Sequence, residues 1–298
     1  MHRAPKLAQF TVVARDVAGR TVTARVAGVH DSERSANTNP VNTRMQASLA
    51  QLEGPKENVS LRFIADPDIA YLRIRIFDGQ AFPQSIEAAF RTVRSQRTKA
   101  LILDLRGNGG GVDQYGALLV SQFTDRPFRY FDRIHLVSIH PSFATWKPST
   151  FEGLRNGTVP TPAGGYLVAA KLHNGVAEQP PARDPFLGQV FILIAGGTFS
   201  TAADVTAVLH HLKRATFIGE ETGGTYDGNT SGLNALITMP NSGLGLKIPM
   251  YGYFNAVSPT LRGRGTQPDY PVEKTVPDLL RGVDAQLQRA VALAGATR

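Results

Sequence analysis

The residues with the clearest chemical possibilities are Gly197-Thr198-Phe199-Ser200-Thr201-Ala202-Ala203-Asp204. An apolar run from Val190 to Ala195 precedes them, and a helical pattern from Thr201 to about Lys213 follows. A strand that turns on Gly196-Gly197 and passes into a helix sets a small hydroxyl, Ser200, at the helix start. The first free N–H groups of the helix then lie beside its oxygen, as developing negative charge on a substrate requires. The same residues also read as an ordinary helix cap. Thr201 with Asp204 three residues on fits a capping box, which accounts for the helix start and leaves Ser200 as the spare hydroxyl.

A second stretch, Arg106-Gly107-Asn108-Gly109-Gly110-Gly111, follows the buried-strand run Ala100–Leu105. Asn108 and the glycines permit positive φ, so that bare N–H groups can face one point. Three readings stay open: a phosphate site, an oxyanion hole, or a tight turn with no ligand. The phosphate reading lacks its usual supports, because the glycines miss the G-x-G-x-x-G spacing and G-x-x-x-x-G-K-[ST] is absent. Asp104 and Arg106 flank the loop, and Asp104 is expected to hold turn amides.

The elements that must position these residues alternate. Ile69 to Phe77 reads as a strand and Gln84 to Arg97 as an amphipathic helix with Ile86, Ala89, Phe90 and Val93 on one face. Ala100 to Leu105 is a strand, Asp113 to Phe123 a helix, Val190 to Ala195 a strand, and Ala215 to Ile218 another strand after the Ser200 helix. This order predicts an α/β fold of βα units around a mainly parallel sheet. Residues 8 to 28 predict a small N-terminal hairpin, with Phe10, Val12 and Ala14 alternating in one run, Val22, Ala24 and Val26 in the next, and Asp16-Val17-Ala18-Gly19 between them. Residues 29 to 60 read as linker, so residues 1–60 form a reduced N-terminal region and 61–298 the core. Phe128 to Ile139 is extended. Residues 141–187 are a long Pro- and Gly-rich excursion, read as a lid or a substrate-facing segment. Residues 234–250 read as a hairpin turned at Asn241-Ser242-Gly243, residues 268–272 as an edge segment, and Val276 to Ala294 as one closing helix.

Composition narrows the classes. The chain has 298 residues, 42% of them hydrophobic, with 29 glycines and 19 prolines, as suits an enzyme-sized globular body with many turns. The absence of cysteine excludes disulfides and thiolate metal sites. The net charge of +8 is carried mostly by scattered arginine, with no basic run interleaved with aromatics, so nucleic acid is not an expected partner. No window reaches the roughly 18 apolar residues of a membrane span. The opening MHRAPKLAQFTVVARD has no signal-peptide pattern, so the sequence leaves its compartment open. No metal or cofactor is implied.

Five blocks together carry a resemblance: AYLRIRIF at 70–77, ALILDLRGNGGG at 100–111, GGTFSTAADV at 196–205, RATFIGEETGG at 214–224 and GRGTQPDYPV at 263–272. In order and spacing they resemble the tail-specific, or C-terminal processing, serine peptidases of the S41 type, akin to the tricorn core. The resemblance covers about 70 to 298. It implies a crotonase/ClpP-like stack of βα units, Ser200 as nucleophile, and an oxyanion hole from the Gly110 region with the Thr201 N–H. Relatives of this type are often periplasmic or extracytoplasmic.

The base departs from the family pattern. Where the Ser-Lys branch carries its lysine, this sequence has Thr225. Lys213 lies about 20 Å along the helix from Ser200, and His210 and His211 about 15 Å, out of reach. In the tricorn-like branch a histidine comes from upstream, and here only His2 and His30 precede the core. The usual downstream glutamate falls at Arg262, and the acid often found after the serine falls at Ala203, with Asp204 one place later. Glu220, Glu221 and Asp227 stand on the loop that should border the site, and Glu221 is taken with Ser200 as the catalytic pair.

Two functions from different classes follow. One is a serine-type endopeptidase acting on extended polypeptide by acyl transfer through Ser200, with substrate added as a strand. The alternative is a catalytically impaired binding module on the same core. An acyl-CoA enzyme on the same general fold is a third reading, since two N–H-bearing loops also suit a thioester oxyanion.

Overall fold

The computed structural model describes residues 9–16, 18–27, 56–65, 68–144, 146–258 and 263–296. His2, His30, most of the 29–60 stretch and Arg262 lie outside them. The chain divides into two units, residues 1–55, 239–244 and 274–285 in one and 56–238, 245–273 and 286–298 in the other. In the first unit, β1 (Gln9–Arg15) and β2 (Thr21–Ala27) form the expected hairpin. Phe10 faces Val26, Val12 faces Ala24 and Ala14 faces Val22, and both strands are exposed along their length.

The second unit is built on a six-stranded sheet. β3 (Val59–Ala65) and β4 (Ile69–Ile74) are followed by helix α1 (Phe82–Ser95), β5 (Ala100–Asp104) and helix α2 (Asp113–Ser121). Two extended segments, β6 (Phe128–Arg129) and β7 (Phe131–Leu136), lead into the 141–187 excursion. It holds helix α3 (Pro148–Gly157), β8 (Thr158–Pro160), β9 (Tyr166–Val168), a 3-10 turn at Asn174–Val176 and β10 (Glu178–Gln179). β11 (Gln189–Ile194), helix α4 (Thr201–His211) and β12 (Thr216–Gly219) come next. A long hairpin, β13 (Gly228–Thr238) and β14 (Gly245–Asn255), precedes the edge strand β15 (Tyr270–Pro271).

The sheet order is β15-β12-β11-β5-β4-β3, parallel except for β3, so the fold read from the alternating βα pattern is present. The strands read as near-continuous apolar runs because both faces are covered. Ala70, Leu72, Ile74, Leu101, Leu103, Ile192, Ile194 and Phe217 cluster with α1, α2 and α4 through Phe90, Val120 and Val208. The alternate residues Ile69, Tyr71, Ile102, Leu193 and Ile218 cluster with the last helix, α6 (Ala285–Ala296), through Ala290 and Ala294. This is the period-two division of a strand between two faces.

Three expectations change. β3 starts at Val59, inside the 29–60 stretch expected to be linker, and its remaining residues open the core; Val59, Leu61 and Phe63 alternate as an edge strand should. The closing helix is two: α5 (Val276–Arg281) stops at Gly282, whose φ of +66° ends a helix readily, before α6 begins. The hairpin extends beyond 234–250, to β13 and β14, and joins β7, β9 and β8 in a second, antiparallel sheet of order β13-β14-β7-β9-β8.

Candidate active site

The site forms where β5, β11 and β12, three neighbours in the parallel sheet, release their chains at their carboxyl ends, the usual place for ligands in such sheets. The loops are knit to each other. Thr198, fully buried, donates its hydroxyl to Leu105 O at 2.9 Å, and Gly224 N donates to Thr198 O at 3.1 Å. Asn108, also fully buried, accepts from Phe199 N through its carbonyl at 2.9 Å and donates its side-chain amide to Ile74 O at 2.9 Å. Beneath the glycine loop, Asp104 accepts from Arg106 N at 3.0 Å, from the Arg106 guanidinium at 2.9 and 2.7 Å and from Tyr71 Oη at 2.5 Å. Burial alone would raise the Asp104 carboxyl, but the Arg106 charge and these hydrogen bonds hold it below the usual range. The turn amide expected of Asp104 is there, with a buried ion pair added.

Ser200 stands at the N-cap of α4 with φ +49° and ψ −130° and makes no cap hydrogen bond through its side chain. A non-glycine residue in that region is strained, and strain of this kind at a sharp strand-to-helix turn is how a nucleophilic serine is thrust clear of its sheet. The capping box does not form. Thr201 is already helical, its Oγ1 donates to Gly111 O at 2.9 Å, and the Asp204 side chain turns away to Asn229. The Thr201 N–H, at the first helical position, has no acceptor within the helix.

The glycine loop presses against this turn. Gly110 has φ +101°, and a Cβ built on it would stand 2.6 Å from Ser200 Cβ and 3.0 Å from Ser200 Oγ, so only glycine fits. Its N–H is taken, at 2.9 Å, by Asn108 Oδ1. Gly111, Ser200, Thr201 and Asp204 line one small cavity of about 260 Å³, with Asp113, Asn229 and Tyr253 among its other walls.

Two acids of that cavity are held differently. Asp204 is buried, and burial pushes its carboxyl up to about 7 against the hydrogen bonds of Asn255 and Asn229. Asn229 Nδ2 donates to both its oxygens at 3.1 Å. Asn255, whose side chain likewise favours the ionised form of this carboxyl, has a buried Oδ1 with no partner among the described residues. Asp113 Oδ2 lies 2.8 Å from His173 Nε2. Because His173 Nδ1 accepts from Gly175 N at 3.2 Å, Nε2 carries the proton and donates to Asp113. Both ring nitrogens are engaged, and the ring lies against Phe131 and Tyr253.

The model of Peptidase family S41 matches residues 68–272. The chain belongs to peptidase family S41. It is similar to a carboxy-terminal-processing protease of Bartonella bacilliformis, 24% identical over 232 residues, which are 76% of this chain and 44% of that protein. The chain thus spans less than half the length of this relative. Among solved structures it shares its fold with a peptidase of Parabacteroides merdae (TM-score 0.55, 20% identity, 85% of this chain and 69% of the other). It also shares it with mature CPAF complexed with lactacystin (TM-score 0.56, 18% identity, 99% and 68%).

Within this S41 chain the residues singled out from sequence separate into two groups. Ser200, Gly110 and Thr201 are brought together. Glu221 is not among the walls of their cavity. It accepts from Arg264 Nε and from Gly265 N, each at 2.8 Å, and the Arg264 hydrogen bonds pull its carboxyl down to about 2. Thr225 sits on the same loop with its hydroxyl bonded to Gly228 O. Asp204 stands out in sequence as the capping-box partner of Thr201 and by its offset from Ser200, not as a base. His173 and Asn229 carried no local pattern that marked them. Among the described residues no helix is long and apolar enough to cross a membrane, and no group of three or more His, Asp or Glu could hold a metal ion.

Proposed function

We propose that this S41 chain is a serine-type peptidase that cleaves extended polypeptide by acyl transfer through Ser200. The observation that carries the reading is the strained backbone of Ser200, with φ +49°, at the start of α4 and beneath Gly110. Carboxy-terminal processing, for which the Bartonella relative is named, supports a polypeptide as substrate.

In the proposed reaction Ser200 Oγ attacks the scissile carbonyl carbon and gives up its proton. The Thr201 N–H stabilises the oxyanion, together with the loop N–H of Gly111, since the Gly110 N–H is already held by Asn108. The amine leaves with a proton, and water then hydrolyses the acyl-enzyme to return free Ser200. We assign the proton to Asp204, which lines the Ser200 cavity and whose carboxyl, held to about 7 by burial, is matched to proton transfer near neutral pH. Glu221, at about 2 and bound by Arg264, is a poor acceptor and is read instead as the brace of its loop.

The test is labelling of the chain with a fluorophosphonate probe beside Ser200→Ala and Asp204→Asn, with peptide mapping. Labelling at Ser200 that is lost in the first variant and slowed at least about 100-fold in the second supports the assignment, given what general-base catalysis is worth. A folded chain that does not label carries an unactivated Ser200 and overturns acyl transfer by these residues alone. Labelling undiminished in Asp204→Asn removes Asp204 from the mechanism.

A further inference from the structure

Beside the Ser200 cavity lies a larger one of about 440 Å³. Phe199, which directly precedes Ser200, forms one wall and is 52% exposed. Asn229 and Tyr253 are walls of both cavities, so the two adjoin at these residues. Four glycines contribute bare main chain, and Phe254 a further ring. The lining therefore offers aromatic faces and open space, with one charged side chain, Asp227.

Asp227 differs from the other acids around the site. Asp104 is bound by Arg106, Asp113 by His173, Asp204 by Asn229 and Glu221 by Arg264. Asp227 is only part-exposed; its Oδ1 is closed off from solvent and has no hydrogen-bond partner among the described residues, so a ligand in the cavity meets the part of the side chain that stays exposed. Its own loop uses its carbonyl, which accepts from Asn255 N at 2.9 Å, rather than its carboxylate. Among the described residues no Lys, Arg or His lines the cavity. Arg133, which stacks on the Phe254 ring at 3.8 Å, is paired with Asp132 at 2.7 Å. A single carboxylate facing a cavity whose other walls are uncharged favours a cation as its occupant, met at the exposed part of the Asp227 side chain.

We propose that this cavity receives a basic side chain, lysine or arginine, of a bound polypeptide, with Asp227 as its counter-charge. The apolar stem of such a side chain lies along Phe199 and Phe254, and its head reaches the carboxylate, the division of labour that long cationic side chains favour. The position of the cavity beside the reacting serine rests on the peptidase reading above; the binding itself does not.

The experiment uses the full-length Ser200→Ala chain and fluorescein-labelled Ala-Ala-Xaa-Ala-Ala peptides with Xaa lysine, arginine, norleucine or glutamate, read by anisotropy. Lysine and arginine peptides are expected to bind more tightly than norleucine by about tenfold or more, the lower end of what a hydrogen bond to a charged group is worth. Asp227→Asn should erase that difference and leave norleucine affinity where it was. Should Asp227→Asn fail to fold, Asp227→Glu serves instead and keeps the order lysine over norleucine. Equal affinities, tighter norleucine, or binding of none of the peptides overturns the proposal. Fluorophosphonate labelling of the Ser200 chain separates the two readings. Labelling without a lysine preference leaves the peptidase and removes the pocket, whereas a lysine preference without labelling does the reverse.

Discussion

The amide of Asp204 donates to the carbonyl of Ser200 at 2.9 Å, so the candidate nucleophile and the buried acid of its cavity belong to the same first turn of α4. Any shift of that turn moves both. The consequence is a pH dependence with two faces. The folded chain holds the Asp204 proton up to about pH 7, against an ordinary 3.8, so the native state binds it more tightly than the unfolded chain does. The stability this group contributes is full below about pH 4, declines as pH rises towards 7 and is lost above it. The difference is on the order of 4 kcal/mol. Urea melts between pH 4 and 8 should show that decline, and Asp204→Asn should flatten it. Fluorophosphonate labelling should run the other way, rising through about pH 7 as the carboxyl ionises.

Gly110 tests the close approach of the two loops. In Gly110→Ala the new methyl would stand 2.6 Å from Ser200 Cβ, on a residue whose φ is +101°. The loop or the serine has to move, and neither is free to do so while Asn108 and Thr201 tie them together. Labelling of Ser200 should be lost, and stability should fall by about 1–3 kcal/mol from backbone strain alone. A variant that labels at the original rate would show that the loop does not shape the site.

How much of this could be read beforehand divides along sequence distance. The runs ALILDL and QVFILI, and the strand–turn–helix around Ser200, are local patterns, and they placed the sheet, the glycine loop and the hydroxyl correctly. The partners of Asp204 come from Asn229 and Asn255, and that of Asp113 from His173, sixty residues away. No periodicity links such pairs, because sheet pairing and the 141–187 excursion bring them together only after folding. Glu221 shows the converse relationship. Its loop position borders the site, but Arg264, 43 residues on, captures its carboxylate.

Under the glycine loop the Asp104–Arg106 pair is buried on both sides, with side chains 1% and 6% exposed. Removing one partner leaves the other charge stranded, so Arg106→Leu should cost about 3–5 kcal/mol, whereas the double variant Asp104→Leu/Arg106→Leu should recover part of the loss. Melting curves of the three chains test this. A single variant as stable as the original would show that the pair does not hold the loop.

Glu221→Gln separates the two carboxyl assignments. Glu221 is bound at the surface, and exposed ion pairs contribute about 0–1 kcal/mol, so the variant should fold with nearly unchanged stability. If Asp204 receives the Ser200 proton, labelling of Glu221→Gln should keep both its rate and its rise near pH 7, because the amide can still accept from Arg264 and Gly265. If Glu221 were the acceptor, labelling would collapse in this variant. Its pH dependence in the unaltered chain would then lie near pH 2, where the Arg264 pairing has drawn that carboxyl, and would be flat across neutrality. One pH profile on each of two variants therefore distinguishes the carboxyl inside the Ser200 cavity from the one bound by Arg264.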